Sequence, residues 1–262
     1  MLVRTTPLTA PLALSATPLT RDAFAPFGDV VANPRPSATP SNTAPAAIAR
    51  GALPCGAISA NQGTAIQYRD IAAMRDLYAA APSGAKASPR MTMFVCGART
   101  LVVGGGGEGE GGSVEIKVLE RHPFTSQTFV PLAADGTKRY LVVVAPTLDV
   151  PGGEKEEEGG DLPVPRGTGL PGAGLPDVEA LRAFVATGEQ AVTYAAGTWH
   201  APMIALGPRD SAIDFVVVQF ANDVPVEDCQ EVALGDEREA ESKARIWVRV
   251  PEGTEGRGLA KL

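Results

Sequence analysis

Histidine is nearly absent from this chain: His122 and His200 are the two in 262 residues. Cysteine is almost as scarce. Cys55, Cys96 and Cys229 are odd in number and widely spaced, so they imply neither a disulfide framework nor a cysteine-based zinc site, and a reducing compartment is expected. Long apolar runs are missing as well. The longest, Tyr140 to Ala145, falls far short of the ~20 residues of a membrane-spanning helix. The apolar N-terminal stretch is broken by Pro7, Pro11 and Pro18, unlike a signal peptide. A cytoplasmic protein without membrane contact is the expectation. An excess of positive charge is lacking too: the net charge is −7, which argues against nucleic acid, because phosphate recognition needs a basic footprint. A small-molecule partner fits this balance best.

Glycine and proline, by contrast, are plentiful at 29 and 23, and they gather in a few stretches. Residues 1–17 are expected to be disordered and 251–262 to be a C-terminal tail. One domain is expected over 18–250, with flexible insertions near 33–47, 104–112 and 147–176. The last of these carries six acids against two bases, which accounts for most of the net charge. Between the insertions, Val114–Leu119, Gln127–Pro131, Arg139–Ala145, Ala191–Tyr194, Ala201–Leu206 and Ile213–Phe220 are rich in Val, Ile, Phe, Tyr and Thr. They read as short strands of a sandwich or barrel. Thr20 is placed to cap a helical turn over Arg21–Phe24. A longer helix is predicted after Asp177, with Val178, Leu181, Phe184 and Val185 as its apolar stripe and Gly188 past its end.

Each histidine stands in a polar or aromatic setting. Lys117, Glu120, Arg121 and His122 crowd one strand end, with Gln127 close behind, and such a density of polar groups either faces solvent or lines a cavity. Strand alternation puts Glu120 and His122 on one face and Arg121 on the other. The second histidine follows Gly197-Thr198-Trp199. The two segments resemble the paired metal motifs of cupins: Glu120-x-His122 stands where His-x-His would, Gln127 where the carboxylate would, and Gly197-x-x-His200 completes the second motif. Glu120, His122, Gln127 and His200 would suit a divalent transition metal, with Zn, Ni, Mn and Fe all compatible. A histidine near a strand end is more often structural, and Trp199 reads equally well as core.

The strings LERHPFTSQTFVPL, YLVVVAP, LRAFVATGEQAVTYAAGTWHAPM and DFVVVQF closely resemble the ureidoglycolate lyases of allantoin degradation. LTRDAFAPFGDVV near the N-terminus and Ala60 to Ala65 resemble them as well, so the likeness runs from about Pro18 to Val232. It implies a mainly β, cupin-like (RmlC-type) double-stranded barrel, a homodimer, and cleavage of (S)-ureidoglycolate to glyoxylate and urea. A divalent metal, nickel or zinc, is implied as cofactor.

Such a reaction needs a general base, an acid near the departing nitrogen and a cation for the substrate carboxylate. His122 or Glu120 is the candidate base, and His200 the complementary acid or a metal ligand. Lys117 is the candidate carboxylate cation. Asn61, Gln62 and Gly63 are candidate binders of the carboxylate or ureido group, although the three also read as an ordinary turn. Gln127 would orient the ureido oxygen, and Trp199 would wall the site. Another metal-dependent cupin enzyme, or a non-catalytic module that binds a small acid, are the competing readings.

Overall fold

The computed structural model describes residues 2–6, 8, 10–102, 111–133, 136–148, 162–170, 172–235 and 245–251. The predicted insertion at 104–112 falls largely outside the described residues, that at 147–176 does so over 149–161 and at 171, and the tail beyond Pro251 lies outside them as well. Residues 33–47, in contrast, are described, and their last three residues open a short helix, Pro45–Ala49.

The architecture is mainly β, as the strand pattern predicts. A central sheet of eight strands runs in the order Leu2–Thr6, Gln230–Leu234, Val118–Arg121, Trp199–His200, Arg139–Ala145, Arg182–Thr187 and Thr17–Pro18, with Ile204–Leu206 also pairing to Arg139–Ala145. A second sheet orders Gly28–Val31, Ala191–Tyr194, Gln127–Pro131, Ala212–Ala221 and Ser88–Gly97. A third joins Leu12–Ser15, Ile246–Pro251 and Gly111–Ile116. Ile58–Ala60 and Ala65–Gln67 form a hairpin of their own. The arrangement is consistent with a cupin-like fold, although among the described residues no sheet closes on itself into a barrel.

Side-chain alternation explains why the central sheet is covered on both sides. Leu119, Leu141, Val143, Ala183 and Val232 point one way, into a core shared with Val114, Ile116, Ile246 and Val248 of the third sheet. Tyr140, Val142, Val144, Phe184 and Ala186 point the other way, into a core shared with Phe129, Tyr194, Phe215 and Val217 of the second. A strand buried on both faces has no polar side to show, which is why Tyr140–Ala145 reads as an unbroken apolar run.

Two expectations are corrected. The helix predicted after Asp177 is a single 3₁₀ turn, Val178–Ala180, followed by the strand Arg182–Thr187. Leu181, Phe184 and Val185 satisfy helical spacing, but tertiary burial on alternate faces decides for the strand. The N-terminal residues, expected to be disordered, contribute Leu2–Thr6 and Leu12–Ser15, which pair parallel with Gln230–Leu234 and Ile246–Pro251. Only late segments of the chain offer those edges, so no local pattern announces the pairing.

The short helix Arg21–Phe24 does form, capped by the Thr20 hydroxyl, which accepts from the Ala23 amide at 3.3 Å. It delivers Phe24 into the core, against Phe184 and Tyr194 at ring-centroid distances of 5.9 and 6.1 Å. Replacing Phe24 with alanine is expected to cost about 3–5 kcal/mol, measured by urea unfolding, because a fully buried ring leaves a cavity.

Candidate active site

The site lies where Val118–Arg121 meets Trp199–His200 in the central sheet. Glu120 and His200 are directly opposed across this pair, so both project from one face, between the central and second sheets. His122 follows at the end of its strand. Gly197 supplies the turn before Trp199: its φ of 80° is the left-handed conformation that glycine adopts freely, and its amide donates to the His122 carbonyl at 2.9 Å. The two histidine segments are thereby tied backbone to backbone.

The opposite face of the same strand pair carries Arg121 and Trp199. The guanidinium sits 4.4 Å from the centre of the Trp199 ring and donates to the Gln230 side chain and to the carbonyls of Gly172, Ala173 and Gly174. Trp199 Nε1 also donates to the Gly174 carbonyl, at 3.2 Å. Trp199 is thus packing on the far face and does not wall the site, while Arg121 is the structural residue that strand alternation predicts. Its bonds hold the end of the acidic, glycine-rich insertion against the sheet.

Hydrogen bonds set the histidine tautomers. His122 Nδ1 lies 2.6 Å from the Asp228 carbonyl, and His200 Nδ1 lies 2.9 Å from the Thr198 carbonyl. A carbonyl only accepts, so both Nδ1 atoms carry protons and both Nε2 atoms present lone pairs. Neither Nε2 has a hydrogen-bond partner, though both are buried. Burial depresses the basicity of both rings. His200, also beside His122, is pushed down to about 3, so both histidines are neutral at pH 7. Tyr194 stacks on His200 with centroids 3.9 Å apart, which fixes the ring plane.

Glu120 Oε1 lies 3.6 Å from His200 Nε2. Burial, with Glu231 across the strand pair, raises the Glu120 carboxyl to about 7. Gln127 adjoins His122. Its amide donates to Gln219 Oε1 at 2.6 Å, which leaves Gln127 Oε1 buried without a partner. Ligating atoms of Glu120, His122 and His200 fall within 4.8 Å of one another. Two unprotonated imidazole nitrogens and an amide oxygen, each short of a partner, with a carboxylate beside them, make a donor set that fits a divalent transition metal.

Of the predicted residues, Glu120, His122, Gln127 and His200 come together. Lys117 does not join them. It lies exposed between two strands, its Nζ 3.7 Å from Glu115 in a surface cluster with Arg245. Asn61, Gln62 and Gly63 occupy the tip of the separate hairpin, all at positive φ, with both amide side chains exposed. Sequence reasoning missed Gln219, Tyr194, Tyr78 and Asp228. Gln219 left a legible trace, as a polar residue on the inward-facing parity of an apolar strand. Tyr78 and Asp228 left none: the Tyr78 hydroxyl donates to Asp228 at 2.6 Å across 150 residues, and the same carboxylate accepts from the amides of Asn222 and Asp223. Those bonds hold the loop whose carbonyl fixes His122.

A family model described as ureidoglycolate lyase matches residues 11–241. A Schizosaccharomyces pombe ureidoglycolate lyase is 30% identical over 233 residues, 88% of this chain and 94% of its own. The corresponding Saccharomyces cerevisiae protein is 35% identical over 183 residues, 68% of this chain and 78% of its own. One from Burkholderia mallei is 35% identical over 210 residues, 80% and 84% of the two chains.

The electrostatics of Glu120 are open to measurement. A carboxyl whose folded-state pKa is raised contributes stability below its ordinary value, near 4.5, and that contribution is lost as pH rises through about 7. In metal-free protein, Glu120→Gln should therefore gain stability relative to the parent by up to about 3 kcal/mol between pH 4.5 and 7.5, the equivalent of about 2.5 pKa units, read from urea unfolding at each pH.

Proposed function

The chain belongs to the ureidoglycolate lyase family, and from that premise we propose that it cleaves (S)-ureidoglycolate to glyoxylate and urea, a step of allantoin breakdown. The observation that carries this reading is the pair of buried, unprotonated Nε2 atoms facing a carboxyl poised near neutrality. The reaction removes the hydroxyl proton, lets the carbon–nitrogen bond break as the aldehyde forms, and returns a proton to the departing ureido nitrogen. Glu120 suits both transfers. In the cation-free site, a carboxyl raised to about 7 takes and gives a proton at nearly equal cost near neutral pH. His200 is a poor acid, because burial holds its ring neutral.

His122, His200 and Gln127 would hold a divalent cation, and nickel and zinc both suit imidazole and oxygen donors. When bound, such an ion supplies Lewis acidity toward the substrate oxygen. Gln127 is kept in place by Gln219, and the His122 ring by the Asp228 carbonyl. Both positions are therefore set before substrate arrives.

We take the catalytic domain to span residues 18–250, extended by the N-terminal strands, in a cytoplasmic enzyme that acts as a homodimer. The edge strand Ser88–Gly97 supports the dimer. Among the described residues it pairs on one side only, with Ala212–Ala221, and it exposes Met91, Met93 and Val95 at 74, 60 and 70%. An unpaired edge with an apolar outer face is a surface that proteins ordinarily cover.

Incubation with (S)-ureidoglycolate is expected to yield glyoxylate and urea in equal amounts. Ammonia would indicate an amidohydrolase instead, and no product at all a binding module. His122→Ala and His200→Ala should each lower kcat at least roughly 100-fold in folded protein, the scale of a lost catalytic or ligating group. Sedimentation should report a dimer for the parent and a monomer for Met93→Lys.

A further inference from the structure

With Lys117 at the surface, the substrate carboxylate still needs a cation, and one cross-strand row of the second sheet ends on one. Tyr194 opposes Gln127, and on the next strand Thr128 opposes Val218, which sets Gln127 against Gln219; Gln219 in turn opposes Arg90. Directly opposed residues of antiparallel strands share a face, about 5 Å apart. Tyr194 stacks on His200, and Gln127 bonds to Gln219, so the row runs from the histidines to Arg90 along the inward face.

A second route reaches the same place. Arg90 Nη2 pairs with Asp223, and the Asp223 amide donates to Asp228 at 2.9 Å. The Asp228 carbonyl is the one that holds His122. Two separate chains of contacts thus link Arg90 to the residues that hold the histidine site.

We propose that Arg90, positioned by this row, is the residue that binds the carboxylate of the substrate, with Gln219 lining the path toward the ureido group. The inference rests on the lyase reading of the preceding subsection. Arg90 is suited to the task in two respects. Among the described residues its Nη2 alone is engaged, so the rest of the fork remains for a second carboxylate. Its partner Asp223 is 70% exposed, and an ion pair so open to solvent is weak enough to yield to or share with an incoming anion.

The test compares the parent enzyme with Arg90→Gln and Arg90→Lys, using ureidoglycolate as substrate and the two product halves, glyoxylate and urea, as inhibitors. Arg90→Gln should raise KM roughly 10- to 100-fold, the loss expected of charge-assisted hydrogen bonds, with kcat little changed. Its inhibition constant for glyoxylate should rise by the same factor while that for urea stays put. Arg90→Lys, which keeps charge but loses the fork, should fall between. Unchanged KM and glyoxylate inhibition in the two variants would overturn the assignment, as would equal weakening of glyoxylate and urea. Should the parent release no urea, the lyase reading fails, and calorimetric binding of glyoxylate to parent and Arg90→Gln still decides whether Arg90 is a carboxylate site.

Discussion

Because the middle of the central sheet is covered on both faces, the polar side chains buried there have to find their partners inside the protein. Glu120, Arg121, His200 and Gln230 all enter that sheet, and their different fates organise the molecule. On one face Arg121 meets Gln230 and three successive backbone carbonyls, with the Trp199 ring beneath it, so four of its donor bonds are made within the protein. On the other face His200 is left with an unanswered Nε2 beside the raised carboxyl of Glu120, and His122 and Gln127 converge there with the same deficit as His200. The satisfied face is architecture. The unsatisfied face is chemistry, since an unanswered buried lone pair is costly unless a ligand completes it.

This division explains the rigidity of the site. Three of the four donor side chains are held in place: His122 by the Asp228 carbonyl, His200 by the Thr198 carbonyl two residues before it and by the face of Tyr194, and Gln127 by Gln219. Asp228 is itself held by Tyr78 and two backbone amides. Substrate therefore meets groups whose orientation is already set, and positioning of that kind accounts for much of what an enzyme contributes.

Much of this was legible from residues alone. The strands around 127–145 and 191–194 follow from β-branched content and turn spacing, and the face shared by Glu120 and His122 follows from alternation. Other features depended on partners far away in the chain. The strand Arg182–Thr187 looks helical until both its faces are seen to be covered, and Leu2–Thr6 has no local reason to be ordered. Lys117 was misplaced because nearness in sequence does not survive a break between strands. Trp199 was misplaced for a simpler reason, since neighbours along a strand point to opposite faces. Arg90 was invisible as a site residue, because only the register of three strand pairs connects it to the histidines.

The scarcity of histidine makes the central claim unusually direct to measure. With two imidazoles in the chain, ¹⁵N resonances recorded during a zinc titration of metal-free protein assign themselves to His122 and His200. Convergence of both Nε2 atoms on one cation predicts that both rings begin in the Nδ1-protonated form, and that both Nε2 resonances shift together and saturate at one equivalent. A ring found protonated at Nε2, or a titration that moves one histidine and leaves the other unchanged, would contradict the account.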